Sequence, residues 1–377
     1  MSQRDEEANA EIRDYHGAAG GWGSMRGIQE IMRREKPPLE IARELLRQNK
    51  PEGFVCVSCA WAKPAHPHVA EFCENGAKAT AWELTSYRTT PALFAEKTVT
   101  QLREESDYAL EQFGRLTQPL RYDAATDRYV AVEWADAFAE IGRELKTFDP
   151  KSVVFYSSGR ASLETSFMYQ LMARMYGNQN LPDSSNMCHE STSVGLKAAI
   201  GAPVGTVLLE DFEQCDAILF FGQNVGSNSP RMLHQLQAAV KRGCKIITFN
   251  PLKEPGLEKF RNPQSPIEML TPKYTPISSQ YHQVKAGGDM AAIAGMCKAL
   301  IEWDDVARLG GQPAVLDHAF IAEHTKDFDV FAASMRILEW PQIEAESGLD
   351  RQALEDAAAV YRDAKATIGV YGMGLTQ

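Results

Sequence analysis

The stretch Ala217-Ile218-Leu219-Phe220-Phe221-Gly222-Gln223-Asn224 joins five apolar residues to a glycine and two amide side chains. Three other segments have the same form, an apolar run that ends in polar or glycine residues: Ser152–Tyr156 before Ser157-Ser158-Gly159-Arg160, Lys245–Phe249 before Asn250-Pro251, and Thr367–Tyr371 before Gly372-Met373-Gly374. Continuous apolar strands are typical of a parallel sheet that is covered on both faces.

Helical patterns alternate with these strands. Residues 162–176 and 231–242 have the spacing of amphipathic helices. The sequence therefore predicts an α/β fold with a doubly wound parallel sheet. Ligands of such sheets bind where the carboxyl ends of the strands meet, and the polar strand ends here suit a ligand that carries phosphate.

Composition excludes several classes of protein. The 377 residues include 50 Asp and Glu against 39 Lys and Arg, for a net charge of −11, and no basic stripe indicates a nucleic-acid partner. No apolar run approaches the ~20 residues of a membrane span, and the charged N-terminus does not resemble a secretory signal. We therefore expect a cytoplasmic protein without a membrane span, with two or three domains.

Shifts in composition divide the chain into four predicted parts. Residues 1–50 form an N-terminal extension, 51–85 a small subdomain with cysteines, 86–150 part of a second α/β domain, and 151–377 the main sheet domain. Residues 51–85 contain too few aliphatic side chains for a core of their own, so another interaction must hold them together.

The seven cysteines are an odd number spread over a long chain. In a reducing compartment this favours metal-binding or catalytic thiols over a disulfide framework. Cys215, Cys244 and Cys297 lie in apolar helical or strand contexts, which predicts that they pack in the core.

Cys56 and Cys59 form a Cys-x-x-Cys motif, and Cys73 follows fourteen positions later. Two thiolates on one tight turn suit a zinc ion or an iron–sulfur cluster. A closed site takes four ligands, and the fourth is left open: His66, His68, another group or none. Buried thiols without a metal are the alternative interpretation.

Cys188 and His189 lie in a polar, turn-like stretch between two helical segments. Ser191, Thr192 and Ser193 can cap a helix from about Val194, which would place Cys188 near a helix N-terminus. That position and the adjacent histidine favour the thiolate, which can act as a nucleophile or as a soft metal ligand. An ordinary loop cysteine is the alternative.

Taken in order, these motifs resemble the molybdopterin oxidoreductase superfamily, and in particular the formate dehydrogenase-like catalytic subunits of the formate dehydrogenase and acid-resistance oxidoreductase branch. The resemblance covers about residues 51–377. It rests on the order and spacing of the following motifs: Cys56-x-x-Cys59 with Cys73 to Lys78, Ser157 to Arg160 through Glu164, Cys188-His189, Phe221 to Asn224 with Asn228-Ser229-Pro230, Asn250-Pro251, Gly287-Gly288-Asp289, and Gly372 to Gln377.

The resemblance implies a role for each matching residue. Cys56, Cys59 and Cys73 would bind a [4Fe-4S] cluster, with Lys78 between the cluster and the pterin. Cys188 would bind molybdenum, and His189 would take part in proton transfer. Molybdopterin guanine dinucleotides would be held by the strand ends, in two sets: Ser158, Gly159, Arg160, Gly222, Gln223, Asn224 and Asn250 would contact the dinucleotides, while Gly372, Met373 and Gly374 would close over them near the metal.

The resemblance also implies a redox function. Formate would be the leading small-molecule substrate, and an electron-acceptor protein or subunit would be the partner. Family members continue well beyond the Gly-Met-Gly motif, so we expect this sequence, which stops at Gln377, to be the front part of a longer enzyme. The family's usual cluster motif has four cysteines, whereas this sequence offers three.

Three alternatives remain open. A molybdoenzyme of the same family could act on a substrate other than formate, and a cluster- or zinc-binding protein could lack catalysis altogether. A nicotinamide-dependent enzyme ranks last, because Ser157-Ser158-Gly159-Arg160-Ala161-Ser162 is not a Gly-x-Gly-x-x-Gly motif.

Overall fold

The structure is a computed structural model that describes residues 15–35, 37–59, 61–158, 161–182 and 188–376. Its strands are β1 (Ala19–Gly20), β2 (Arg88–Thr89), β3 (Arg115–Leu116), β4 (Leu120–Asp123), β5 (Arg128–Ala131), β6 (Ala217–Phe221), β7 (Lys245–Phe249), β8 (Lys259–Arg261), β9 (Thr275–Pro276), β10 (Gln280–His282) and β11 (Thr367–Tyr371).

Helices surround these strands in the described residues. They are α1 (Gly21–Arg34), α2 (Pro38–Leu45), α3 (Glu74–Glu83), α4 (Pro91–Glu96), α5 (Val99–Arg103), α6 (Asp107–Gln112), α7 (Trp134–Leu145), α8 (Leu163–Tyr176), α9 (Glu190–Ile200), α10 (Val225–Asn228), α11 (Met232–Lys241), α12 (Pro255–Glu258), α13 (Pro266–Leu270), α14 (Asp289–Leu309), α15 (His318–His324), α16 (Phe328–Ile337), α17 (Trp340–Ser347) and α18 (Arg351–Asp363). Short 3₁₀ helices occupy Pro150–Ser152 and Leu209–Glu213. Among the described helices, none combines the length and apolar character that a bilayer crossing requires.

The chain divides into two compact units. Unit 1 comprises residues 1–15, 28–57 and 76–184, and unit 2 comprises residues 16–27, 58–75 and 185–377. The boundaries predicted at residues 50, 85 and 150 remain a prediction.

A four-stranded sheet in the order β10-β7-β6-β11 forms the centre of unit 2. Each neighbouring pair is parallel, with Phe221 opposite Phe249 on one side and opposite Tyr371 on the other. The predicted parallel sheet is thus confirmed, and three of the four predicted strands belong to it.

Alternate residues of the central strands enter two separate cores. Ile218, Phe220 and Ile246 pack on one face of the sheet, where α11 contributes Leu233 and Leu236. Neighbouring residues on the same strands enter a second core on the opposite face, against α14 and α18: Leu219, Phe221, Ile247 and Phe249. Coverage on both faces explains why these strands are continuously apolar rather than alternating.

The prediction of a strand at residues 152–156 is wrong. These residues lie in unit 1, where a 3₁₀ helix ends at Ser152 and the following residues form no ladder. The side chain of Asn178 donates a hydrogen bond of 2.6 Å to the carbonyl oxygen of Val153 and so occupies an acceptor that a strand would need. The side chains of Val154 and Tyr156 are exposed, so no packing against a neighbouring helix or sheet stabilises an extended strand here.

Unit 1 contains smaller sheets. β2 and β3 form a parallel pair, and β4 and β5 form an antiparallel hairpin. Thr98 and Gln101 make a reciprocal capping box at the start of α5. Buried side chains of its core include Ile31, Ile41, Leu45, Phe94 and Leu102.

Truncation of a central sheet residue tests the core of unit 2. Ile246 is fully buried in β7. We expect Ile246→Ala to lower the free energy of unfolding by about 2–5 kcal/mol, because lost transfer energy and a residual cavity add together. Urea denaturation followed by circular dichroism measures the change. The control Leu309→Ala removes a 90% exposed side chain at the end of α14 and should change stability by less than about 0.5 kcal/mol. Equal effects of the two variants would contradict the assignment of Ile246 to the core.

Candidate functional site

The carboxyl ends of three strands lie side by side in unit 2, as the sequence predicts. The main-chain N–H of Gly222 donates to the carbonyl oxygen of Phe249 at 2.9 Å, and that of Gly372 donates to Phe221 at 2.8 Å. Asn250 extends the ladder in the same way, because its N–H donates to His282 at 3.0 Å. Each strand end is therefore held in register by its neighbour.

Gly222 and the Gly-Met-Gly segment approach each other closely. A Cβ built on Gly372 would lie 2.6 Å from the carbonyl oxygen of Gly222, and one on Gly222 would collide with the backbone of Gly374. Gly222 also has a φ of +65°, which disfavours a side chain. Only glycines allow these two strand ends to meet.

Asn224 and Asn250 have local structural contacts. The Asn224 side chain accepts a hydrogen bond from the N–H of Ser227 at 3.3 Å and caps α10. The Asn250 side chain donates to the carbonyl oxygen of Leu252 at 2.7 Å. Both amides thus stabilise the loops that follow β6 and β7.

Cys188 lies beside the Gly-Met-Gly segment. Its Sγ is 3.8 Å from Sδ of Met373, although 185 residues separate the two in sequence. The Ser191 hydroxyl donates to the carbonyl oxygen of Thr376 at 3.1 Å, and the Thr376 hydroxyl donates to the carbonyl oxygen of Gly372 at 3.1 Å. These contacts place the predicted molybdenum ligand at the carboxyl end of β11.

The helix after Cys188 begins earlier than the sequence predicts. α9 starts at Glu190 with His189 at its N-cap, so Ser191, Thr192 and Ser193 lie inside the helix and do not cap it. The His189 side chain makes no capping bond and is exposed. The predicted position of Cys188 near a helix N-terminus is confirmed.

Asp289 is a functional candidate for which the sequence patterns predict no role. Its side chain is 2% exposed, and neither carboxylate oxygen has a hydrogen-bond partner within the part of the chain that the structure describes. A Cβ on Gly374 would lie 2.6 Å from its Oδ1. Burial raises the pKa of this carboxyl group. The motif Gly287-Gly288-Asp289 could have indicated this residue, because it lies where a helix begins after a strand.

The residues at this edge form a group that we call the strand-end cluster: Cys188, Gly222, Gln223, Asp289, Gly372, Met373 and Gly374. The cluster fits a ligand that brings both a soft metal and N–H donors. Sulfur ligands suit soft metals, and a carboxylate can accept two hydrogen bonds from adjacent N–H groups such as those of a pterin or guanine ring. The glycines allow the strand ends to pack closely against each other.

Other predicted site residues lie in unit 1 or outside the described residues. Cys56, Lys78 and Ser158 belong to unit 1, where Cys56 is buried and its N–H donates to the Asn49 side chain at 3.0 Å. Gly159 and Arg160 lie outside the described residues.

Cys59 and Cys73 are half-buried residues of unit 2. Across the described residues, no group of three or more His, Cys, Asp or Glu side chains is arranged to hold a metal ion. The cluster ligands Cys56, Cys59 and Cys73 therefore remain a prediction.

Cys215 and Cys244 pack in the core, as predicted, whereas Cys297 is only half-buried. Sγ of Cys215 and Sγ of Cys244 lie 3.9 Å apart in the core. Burial, together with the neighbouring Cys215, raises the pKa of Cys244 to about 12, so this thiol stays protonated at neutral pH. Burial also raises the pKa of Cys297 on α14.

The buried carboxyl group of Asp289 gives a pH-dependent prediction. Because its pKa is raised in the folded state, its contribution favours folding below the ordinary aspartate pKa of ~4 and is lost as pH rises. We expect Asp289→Asn to raise the free energy of unfolding at pH 7 by about 1–3 kcal/mol in the ligand-free chain, with a smaller gain at pH ~3. Urea titrations at the two pH values measure this difference.

The control for that experiment is Asp329→Asn, which neutralises an exposed aspartate in the first turn of α16. It should leave stability nearly unchanged at both pH values. A loss of stability in Asp289→Asn at pH 7 would show that the carboxylate has a favourable partner in the folded protein.

The family model of molybdopterin oxidoreductases matches residues 115–375. Protein YdeP of Escherichia coli is 50% identical over 97% of this chain and 48% of its own length. The F420-dependent formate dehydrogenase 1 subunit alpha of Methanococcus maripaludis is 25% identical over 66% of this chain and 33% of its own length. The chain thus spans about half the length of the YdeP protein that it matches.

A solved structure shares the fold. Acetylene hydratase from Pelobacter acetylenicus superposes with a TM-score of 0.51 and 18% identity over 68% of this chain and 31% of its own. The family implies a cofactor of molybdenum and pterin. The match over residues 115–375, together with the identity to YdeP along nearly the whole chain, shows that the protein belongs to the molybdopterin oxidoreductase family.

Proposed function

We propose that this chain forms the part of a formate dehydrogenase-like oxidoreductase that holds molybdenum through Cys188. The observation that carries the proposal is the position of Cys188, with its Sγ 3.8 Å from Sδ of Met373, beside a glycine-lined edge where the buried carboxylate of Asp289 has no hydrogen-bond partner among the described residues. A thiolate at this point supplies a soft ligand, and the strand ends supply main-chain groups for a dinucleotide.

The residues of the strand-end cluster have separate proposed tasks. Cys188 binds the metal, and Asp289 accepts hydrogen bonds from N–H groups of the bound cofactor. Gly222, Gly372 and Gly374 let the strand ends approach closely enough to form the binding edge, and Met373 closes over the cofactor near the metal, as the resemblance implies. Gln223, Asn224 and Asn250 would contact the guanine dinucleotides, as the resemblance implies, together with Ser158, Gly159 and Arg160.

The proposed reaction converts formate to carbon dioxide, one proton and two electrons. Bound molybdenum would supply the two-electron redox chemistry, and a [4Fe-4S] cluster would carry single electrons toward an acceptor protein. His189 is exposed and adjacent to Cys188, so its imidazole can take up the proton and pass it to solvent. Cys56, Cys59 and Cys73 would supply sulfur ligands for the cluster, with Lys78 nearby in sequence.

Formate is the leading candidate for the substrate. It is proposed because the resemblance of Cys188-His189 points to formate dehydrogenases and because a formate dehydrogenase subunit is a relative of 25% identity. A different small-molecule substrate in the same site is the second candidate. Steady-state turnover with formate, compared with other small oxidisable acids, decides between them.

Removal of the Cys188 thiol tests the metal site. We expect the wild-type chain, purified from a host that makes molybdopterin, to contain molybdenum, and Cys188→Ala to contain about tenfold less or lower still, because a direct ligand is lost. Elemental analysis measures molybdenum per chain, and fluorescence of the oxidised pterin measures the organic part.

Cys297→Ala is the matched control, since it removes a thiol from the same unit outside the strand-end cluster. It should keep wild-type molybdenum content. Unchanged molybdenum in Cys188→Ala, or a wild-type chain that never acquires the metal in such a host, would overturn the proposed role.

The predicted iron–sulfur ligands have a separate test. We expect Cys73→Ser to lower iron and acid-labile sulfide per chain several-fold after anaerobic purification, because a hydroxyl is a poor substitute for a thiolate ligand of iron. Visible absorption and electron paramagnetic resonance report the cluster. Cys297→Ser controls for the loss of a thiol elsewhere, and equal iron content in the two variants would remove Cys73 from the ligand set.

A further inference from the structure

Residues 58–75 of unit 2, which we call the cysteine loop, contain Cys59 near one end and Cys73 near the other. Among the described residues of this loop, helix begins only at Glu74. The loop therefore depends on side-chain contacts with the rest of unit 2 for its conformation.

Arg231 makes the densest set of these contacts. Its Nη1 donates to the carbonyl oxygen of Trp61 at 3.0 Å, and its Nη2 donates to that of Ala62 at 3.1 Å. Nη2 and Nε also donate to Oε1 of Glu71, at 2.7 and 3.2 Å. One guanidinium group thus joins two points of the loop that lie nine or more residues apart in sequence.

The pairing takes place away from solvent. The side chains of Arg231 and Glu71 are only 6% and 11% exposed. In such surroundings, removal of one charge leaves the other buried without compensation, and the planar fork of arginine sets the geometry more strictly than a lysine could. Glu71 is itself tied to the loop, because its Oε2 accepts a hydrogen bond from the N–H of His68 at 2.9 Å.

Three further contacts attach the cysteine loop to the rest of unit 2. Gln264 donates to the carbonyl oxygen of Ala70 at 2.8 Å, and the Asn75 side chain donates to that of Ser227 at 2.5 Å. The Trp61 ring packs edge-to-face on Phe212, with ring centroids 5.9 Å apart. Each of these interactions holds one point of the loop, whereas Arg231 connects both arms.

We propose that Arg231 is the positioning residue that fixes the conformation of the cysteine loop, and with it the positions of Cys59 and Cys73, two of the three proposed cluster ligands. Trp61 follows Cys59 by two positions and Glu71 precedes Cys73 by two, so a fixed guanidinium restricts both thiols. The metal-binding part of this inference rests on the proposed function, whereas the positioning part does not.

Thiol labelling of the chelator-treated full chain tests the positioning. Iodoacetamide rates at Cys59 and Cys73, measured by peptide mass spectrometry, should rise about tenfold or more in Arg231→Gln, because local opening of the loop becomes easier. The rate at the core thiol Cys215 should stay at the wild-type value. Arg231→Lys, which keeps the charge but loses the fork, should lie between wild type and Arg231→Gln.

Arg261→Gln is the matched control. Arg261 ends β8 and donates to the carbonyl oxygens of Lys273 at 3.2 Å and Pro272 at 3.1 Å, outside the cysteine loop. Wild-type labelling of Cys59 and Cys73 in Arg231→Gln would overturn the proposal. A parallel rise at Cys215 would also overturn it, because the residue would then support the whole unit rather than the loop.

Iron binding provides the second readout. After anaerobic purification, Arg231→Gln should contain several-fold less iron and sulfide than wild type and Arg261→Gln, and an altered electron paramagnetic resonance signal should mark any cluster that remains. Iron at the wild-type level with faster labelling would refute the link to metal binding. A wild-type chain without iron would instead count against the proposed cluster, while the labelling rates still decide the role of Arg231.

Discussion

Backbone pairing of β6 with β7 on one side and with β11 on the other is the constraint on which unit 2 depends. Parallel pairing forces three strands to end at the same edge, and bonds from Gly222, Asn250 and Gly372 carry the ladder one residue further. The two cores keep the strands in this register, because a shift of one residue would move every side chain to the opposite face. The chemistry of the strand-end cluster follows from that geometry.

The buried carboxylate of Asp289 lowers the stability of the ligand-free chain. It is 2% exposed and has no hydrogen-bond partner in the part of the chain that the structure describes, and burial accordingly raises its pKa. Such an arrangement is expected where a ligand supplies the missing hydrogen bonds. The close approach of Gly374 to Asp289 leaves no space for a side chain, so the motif and the carboxylate depend on each other.

Two kinds of attachment operate in unit 2. The sheet is held by apolar packing on both faces, which tolerates small changes in side-chain shape. The cysteine loop is held by the directional hydrogen bonds of Arg231, whose charge partner Glu71 is itself a loop residue. The sequence indicated that residues 51–85 lack a core of their own. The sequence did not reveal that Arg231 holds these residues in place of a core. A single arginine in a helical pattern is indistinguishable from a surface residue until its partners are known.

Local patterns in the sequence determined the parallel strands at residues 217–221, 245–249 and 367–371, their polar ends, and the resemblance to the family to which the chain belongs. These features depend on residues that are contiguous in the chain, so they can be predicted without knowledge of the tertiary structure. Tertiary structure alone decided that residues 152–156 form no strand, since the Asn178 side chain takes the carbonyl of Val153. It alone brought Cys188 to Met373 and left the Asp289 carboxylate with no hydrogen-bond partner among residues 15–376 as far as the structure describes them. Such contacts and gaps involve residues that are far apart in the chain, so they arise only when the strands have paired.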